Sequence, residues 1–183
     1  TARGAVAVTT VNAYLAEWAR NYNADVSVIP TPVDTIVYRP RAVERSGPLV
    51  IGWSGSSTTA PYLKLLDEAL EVLAGRIDLV VHVIGGSYAH PRAAVRLIPW
   101  RLDTEPSEIA CFDIGVLPEP DDPWTRGKGA FKALLYMASG VPVVASAIGV
   151  NSEVVAEGTV GYCVSDTAGW IRAIERLAAA ERT

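Results

Sequence analysis

The chain has 183 residues, half of them hydrophobic, and a net charge of −4, a length that suits one domain plus part of another around a sizeable core. The acidic balance argues against general nucleic-acid binding, and no apolar run approaches the roughly 20 residues of a membrane span. The two cysteines (Cys111, Cys163) and two histidines (His82, His90) lack CxxC or zinc-ligand spacing, so the thiols read as small core residues, with nothing to suggest a disulfide scaffold or an oxidising compartment.

The chain opens at Thr1, inside an apolar pattern and without a Met, and reads as a fragment of a longer protein. Ala5 to Val8 has strand character. Thr9 or Thr10 is placed to cap a helix with Val11, Tyr14, Leu15, Trp18 and Tyr22 on one face. Val26 to Ile29 is a second short strand, ended by Pro30 and Pro32, and Pro40 to Gly47 reads as a linker. Leu49 to Trp53 is a buried strand. The helix after it, from about Thr58 to Leu73, turns Tyr62, Leu66, Ala69, Leu70 and Leu73 inward and stops at Gly75. Strands follow at Leu79–Ile84 and Val95–Ile98, then a short helix from Thr104 to Ala110 and a strand at Asp113–Leu117. A lysine-bearing helix ends at Gly140 and feeds the strand Val141–Ala145. A helix near Asn151 to Ala156, a weak strand at Tyr162–Val164 and a last helix capped by Asp166 or Thr167 complete the pattern.

Alternating strands and helices with continuously apolar strands predict an α/β fold: a parallel sheet covered by helices on both faces, with right-handed crossovers. Ligands bind such sheets at the carboxyl ends of the strands, near a topological switch point. Every loop of chemical interest here follows a strand.

The most informative stretch runs from Trp124 to Lys132 and into Ala133–Ala145. It sets Lys128 and Lys132 about one turn apart at a predicted helix start, where free N–H groups and the positive dipole end favour an anion. Arg126, Lys128 and Lys132 read either as a phosphate seat or as a solvated charged face. The flexible glycines around Lys128 favour the former, being poor helix formers. The turn from Gly52 to Thr59 suits phosphate contact through hydroxyls and N–H groups, or is a tight turn with a Ser/Thr cap. It lacks the Gly-Lys-Ser/Thr end of a P-loop. Gly85-Gly86 either seats a planar base or is an ordinary turn, and Trp100 either walls a base or covers the core edge. Glu119, Asp121 and Asp122 could hold a metal, but carboxylates on a Pro-rich loop are more often solvated. His82, inside an apolar strand, reads as structural, and His90 is unassigned. No Ser/His/Asp set and no HExxH occurs.

Together, four segments in order resemble the C-terminal, nucleotide-sugar-binding half of GT-B glycosyltransferases of the retaining family 4, or group 1. They are Val28–Asp34, Phe112–Pro118, Leu135–Ala145 and Gly149–Val155. The resemblance implies a Rossmann-like domain over residues 41–183, preceded at 1–40 by a remnant of the N-terminal domain and the interdomain link. It implies a UDP- or GDP-sugar donor as substrate with no further cofactor and no metal. The implied acceptor is a glycan or a lipid-linked acceptor, in a cytoplasmic enzyme whose absent N-terminal half often carries a membrane-contacting face. By position, Gly55 and Ser56 lie against the donor diphosphate, with Lys128 and Lys132 facing it or the sugar. Ile84, Gly85, Trp100 and Arg101 surround the base, and the amides of Gly127, Lys128, Gly129 and Ala130 face sugar and phosphates. Lys128 and Lys132 are the electrostatic candidates for catalysis.

The chain departs from the family pattern in three places. The family's two glutamates of this segment fall on Gly127 and Leu135, which puts the sugar-hydroxyl and ribose contacts in question. The usual Arg and Lys of the first glycine loop are replaced by Ser and Thr around Ser54 to Thr59. The acceptor-binding half is missing, so the fragment is expected to bind nucleotide weakly and to transfer no sugar alone. Two other readings are a non-catalytic nucleotide- or partner-binding domain, and a two-domain sugar-nucleotide epimerase whose catalytic His and acids have no place here.

Overall fold

The computed structural model describes residues 1–40 and 47–180, so most of the predicted linker lies outside the described residues. Six strands form one parallel sheet: β3 (Leu49–Ser54), β4 (Leu79–Ile84), β5 (Ala94–Ile98), β6 (Ile114–Leu117), β7 (Val143–Ser146) and β8 (Gly161–Val164), in the order β5-β4-β3-β6-β7-β8. Two further strands, β1 (Val8–Thr10) and β2 (Val26–Val28), pair in parallel across helix α1 (Ala13–Arg20) as a separate βαβ unit. The chain builds outward from β3 to β5, then returns to place β6 on the other side of β3. That reversal is a topological switch point, and the carboxyl ends of β3 and β6 flank it.

Strand alternation divides the core. Ile51, Trp53, Val81 and Val83 face a layer formed by a 3-10 helix (Ala60–Leu66), α2 (Asp67–Leu73) and α7 (Thr167–Ala180), where Leu63, Leu66, Leu70, Leu73 and Ile174 are buried. The opposite face holds α3 (Glu105–Ile109) and α5 (Phe131–Ala138), with Phe112, Leu135, Tyr136, Val143 and Ala145 in its core. This is the expected α/β sheet covered on both faces. Two glycines open the second face to aromatic rings. A side chain at Gly52 would run into the Phe112 ring, and one at Gly115 into Tyr136. The two rings meet edge to face, 5.9 Å apart.

Several local expectations are corrected. The first strand is Val8–Thr10, and Asn12, not a threonine, caps α1 through Oδ1 on the Leu15 amide at 2.9 Å. That helix turns Ala16 and Ala19 inward and leaves Tyr14, Trp18 and Tyr22 exposed. Small alanines let α1 sit close on its strands, while Trp18 and Tyr22 pack on each other on the outer face, 5.0 Å apart. The helix predicted from Thr58 opens as a 3-10 turn carrying Pro61 and becomes α-helical only at Asp67. Cys111 is exposed at the end of α3 rather than in the core, and Cys163 is partly buried. His82 is buried in β4, and burial pushes its pKa down, as a structural role requires.

Candidate functional site

A cleft of about 650 Å³ opens at the carboxyl ends of β3 and β6. Its floor comes from Trp53 to Ser56 and from Leu117 to Glu119, and one wall from Lys128 to Lys132. Tyr62, Trp100 and Leu102 form the apolar side. The fold therefore brings Gly55, Ser56, Trp100, Lys128, Gly129, Ala130 and Lys132 to one cavity. It does not bring the whole predicted set there. Ile84 is buried beneath the loop and Gly85 supports it, its φ of 76° and its contact with the Gly55 carbonyl leaving no room for a side chain. Arg101 is turned to Asp103, 3.7 Å away in open solvent. Arg126 points away from the cleft and forms a two-pronged pair with Asp121, at 2.6 and 2.9 Å.

The lysines are not both on the helix. Pro123–Arg126 forms a short separate helix, α4, started by a capping box between Asp122 and Thr125. Lys128 lies in the loop after it, and only Lys132 belongs to the first turn of α5. Between them Ala130 adopts a left-handed conformation (φ 52°, ψ 27°), and it alone does so among the described non-glycine residues. Such a conformation costs an L-residue roughly 1–2 kcal/mol. It turns the chain so that the first residues of α5, where backbone amides lack helical partners, stand in the cleft wall.

Each lysine meets a buried carboxylate. Lys132 Nζ donates to Glu105 Oε1 at 3.1 Å and to Ser54 Oγ at 3.3 Å. The same carboxylate accepts from Ser54 Oγ at 2.6 Å and from the Tyr38 hydroxyl at 2.9 Å. Burial alone would raise the Glu105 pKa. The Ser54 hydroxyl, the Lys132 charge and the Tyr38 hydroxyl together outweigh it and hold the carboxyl below its ordinary range. Burial and the adjoining carboxylate push the Tyr38 phenol up to about 12.

Lys128 Nζ donates to Glu119 Oε1 at 2.8 Å and lies over the Tyr62 ring, 5.0 Å from its centre. Glu119 Oε2 accepts from Asn151 at 3.0 Å, and the Glu119 amide donates to Ser146 Oγ at 2.8 Å. Glu119 is thus buried and ion-paired, not solvated as its loop position implied, while Asp121 and Asp122 serve Arg126 and the α4 cap. Among the described residues no acidic, His or Cys cluster is arranged to hold a metal ion.

Sequence reasoning missed Glu105 and Glu119 as partners of the lysines. Both stand next to prolines in unremarkable segments, and only the sheet order brings them to the cleft. The position of Leu135 is equally plain in three dimensions. It is buried in the core under α5 and reaches no part of the cleft.

Residues 48–180 match the family model of glycosyl transferases group 1. The chain belongs to that family. Solved structures agree in fold. Sucrose-phosphate synthase from Thermosynechococcus elongatus is 18% identical and superposes with a TM-score of 0.75 over 97% of this chain and 50% of its own. Anabaena HepE, solved with UDP and glucose, is 16% identical with a TM-score of 0.75 over 97% of this chain and 55% of its own. The C-terminal domain of a group 1 glycosyl transferase, LpcC, from Francisella tularensis is 19% identical with a TM-score of 0.63, covering 82% of this chain and 90% of that domain. No curated protein sequence matches the chain. The group 1 sequence thus spans about half the length of the first two of these structures, and the expected GT-B relationship and Rossmann-like sheet are both met.

Proposed function

We propose that this chain is the donor half of a sugar transferase that takes a UDP- or GDP-sugar. The diphosphate would rest against Lys128, Lys132 and the amides at the start of α5. One observation carries the reading: two ammonium groups and a free helix start converge on one cavity at the switch point of a parallel sheet. The leaving nucleoside diphosphate would be stabilised by N–H groups and lysines, without a divalent cation. Gly55 and Ser56, in the floor of the cleft, would supply further phosphate contacts, and Trp100 offers a half-exposed aromatic face to the base. HepE, which shares the fold, was solved with UDP.

The acceptor would be a glycan or a lipid-linked acceptor. Its site would belong to an N-terminal domain of which residues 1–40 hold a remnant together with the interdomain link, with a cytoplasmic or membrane-peripheral location for the whole enzyme. This half alone binds nucleotide weakly and transfers nothing, and the reaction is retaining by likeness to the family. A charge-assisted contact in a partly dry cleft makes the Lys128→Ala loss about 1.5–3 kcal/mol of diphosphate affinity. Calorimetric titration of both proteins with UDP and GDP measures it, and equal affinities would remove Lys128 from the site.

A second reading, a non-catalytic nucleotide- or partner-binding domain, draws on the two lysine–glutamate pairs. Four side chains of balanced charge leave the helix amides as the net attraction for an anion. Sugar-transfer assays on the protein with an N-terminal half, across mixed donor sugars, separate the two, since a binding module shows no turnover.

A further inference from the structure

The loop that carries Lys128 is held from outside the sheet domain. Asn12, between β1 and α1, is buried, and its side-chain amide donates to the carbonyl oxygens of both Arg126 and Lys128, each at 2.9 Å. Its Oδ1 is occupied by the Leu15 amide, so all three bonds are consistent with a single orientation of the side chain. The same loop packs against Val11, Leu15 and Thr31. A side chain at Gly129 would collide with Val11 and Thr31, and one at Gly127 would press on Leu15 at 3.3 Å. The βαβ unit therefore grips the backbone on both sides of Lys128. Lys132, one helical turn beyond, donates instead to Ser54 of β3 and Glu105 of α3, and the Tyr38 hydroxyl braces that carboxylate.

From this asymmetry we infer that Asn12 is a positioning residue. It fixes the Lys128 loop, so that the placement of the βαβ unit against the sheet sets where the Lys128 ammonium lies in the cleft. The inference rests on the reading that Lys128 faces the donor diphosphate. It adds that nucleotide binding and the seating of the N-terminal unit are linked through this one side chain, and by reciprocity a bound diphosphate tightens that seating. Asn12 itself touches no ligand. Its effect passes through two backbone carbonyls.

Its two tasks are separable. Serine at position 12 retains a helix-capping oxygen but is too short to reach the loop, and aspartate retains the cap while setting a carboxylate against two carbonyls. The test titrates UDP by calorimetry into the whole chain as wild type, Asn12→Ser, Asn12→Asp, Lys128→Ala and Asn12→Ser/Lys128→Ala, with thermal melts of each. Amide hydrogen exchange over residues 126–130, without ligand, supplies a readout independent of binding. Asn12→Ser is expected to weaken UDP about tenfold, with Asn12→Asp weaker still. Asn12→Ser should add nothing once Lys128 is alanine, and exchange at 126–130 should quicken while α1 remains protected. Should either Asn12 variant melt far below wild type, Val11→Ala, which loosens the packing behind Gly129 and lines no part of the cleft, must quicken exchange at 126–130 and weaken UDP in the same direction. Wild-type exchange and UDP affinity in Asn12→Ser, with Lys128→Ala still impaired, overturn the latch and leave the donor site standing. An unimpaired Lys128→Ala together with quickened exchange in Asn12→Ser overturns the donor reading and the binding linkage with it.

Discussion

The two lysine seats use one chemistry in two different settings. Lys132 stands on a regular helix, and its carboxylate partner is fixed by the Ser54 hydroxyl of β3 and by the phenol of Tyr38, in the segment that leads into the sheet domain. Lys128 stands on a loop bounded by glycines, and the loop backbone is tied to the N-terminal unit. The first seat is rigid because its surroundings are core. The second is as rigid as the contact between two parts of the chain. An anion bridging both ammonium groups would report on that contact.

The largest test of this contrast lies beneath α5. Leu135 is 1% exposed, so Leu135→Ala should lower stability by about 3–5 kcal/mol through lost burial and a cavity. Among the molecules that remain folded, UDP affinity should be unchanged, and denaturant melts paired with calorimetry check both halves. Loss of affinity without loss of stability would mean that Leu135 borders the ligand and that the Lys132 seat is not core-built.

Next comes Glu105→Ala, which strips the acceptor from Ser54, Tyr38 and Lys132 together. Removing one partner of a buried pair is strongly destabilising, and the quarter exposure of the Lys132 side chain lowers the expected loss to about 2–3 kcal/mol. A melting point equal to wild type would break the claim that this seat is structural.

The smallest effect is a pH dependence. The folded-state pKa of Glu105 is depressed below its ordinary value of 4.5. Its contribution to stability is therefore full above that pH, and is lost as pH falls through the folded-state value. Denaturant midpoints measured on acidification should fall less steeply for Glu105→Gln than for wild type. Parallel curves would show that the carboxylate gains nothing from its partners.

Much of the fold could be read from the residues because periodicity reports local burial. β4 begins and ends where its apolar run does, at Leu79 and Ile84, and α7 buries Trp170, Ala173, Ile174 and Ala178 at helical spacing. The site was harder to read because its partners are remote. Glu105 and Lys132 belong to different helices, and nothing near either residue encodes the meeting. Helix α1 misled for a different reason: its aromatic stripe had the right spacing for a core face, but the alanine face gave the closer fit to β1 and β2. The α4 turn was legible in principle, since Asp122, Pro123 and Thr125 form a helix-start signature.

The bare backbone of Gly115 has one more implication. It admits the Tyr136 ring so deeply that the phenol oxygen reaches across to accept the Ser54 amide at 2.8 Å. Strand and helix therefore share a single allotment of space, and neither position can be resized alone. Alanine at 115 needs a smaller ring at 136, and a smaller ring leaves a main-chain donor stranded at the mouth of the cleft. Redesign of this pocket must treat 52, 54, 112, 115 and 136 as one interlocked unit, exchanged together or left alone.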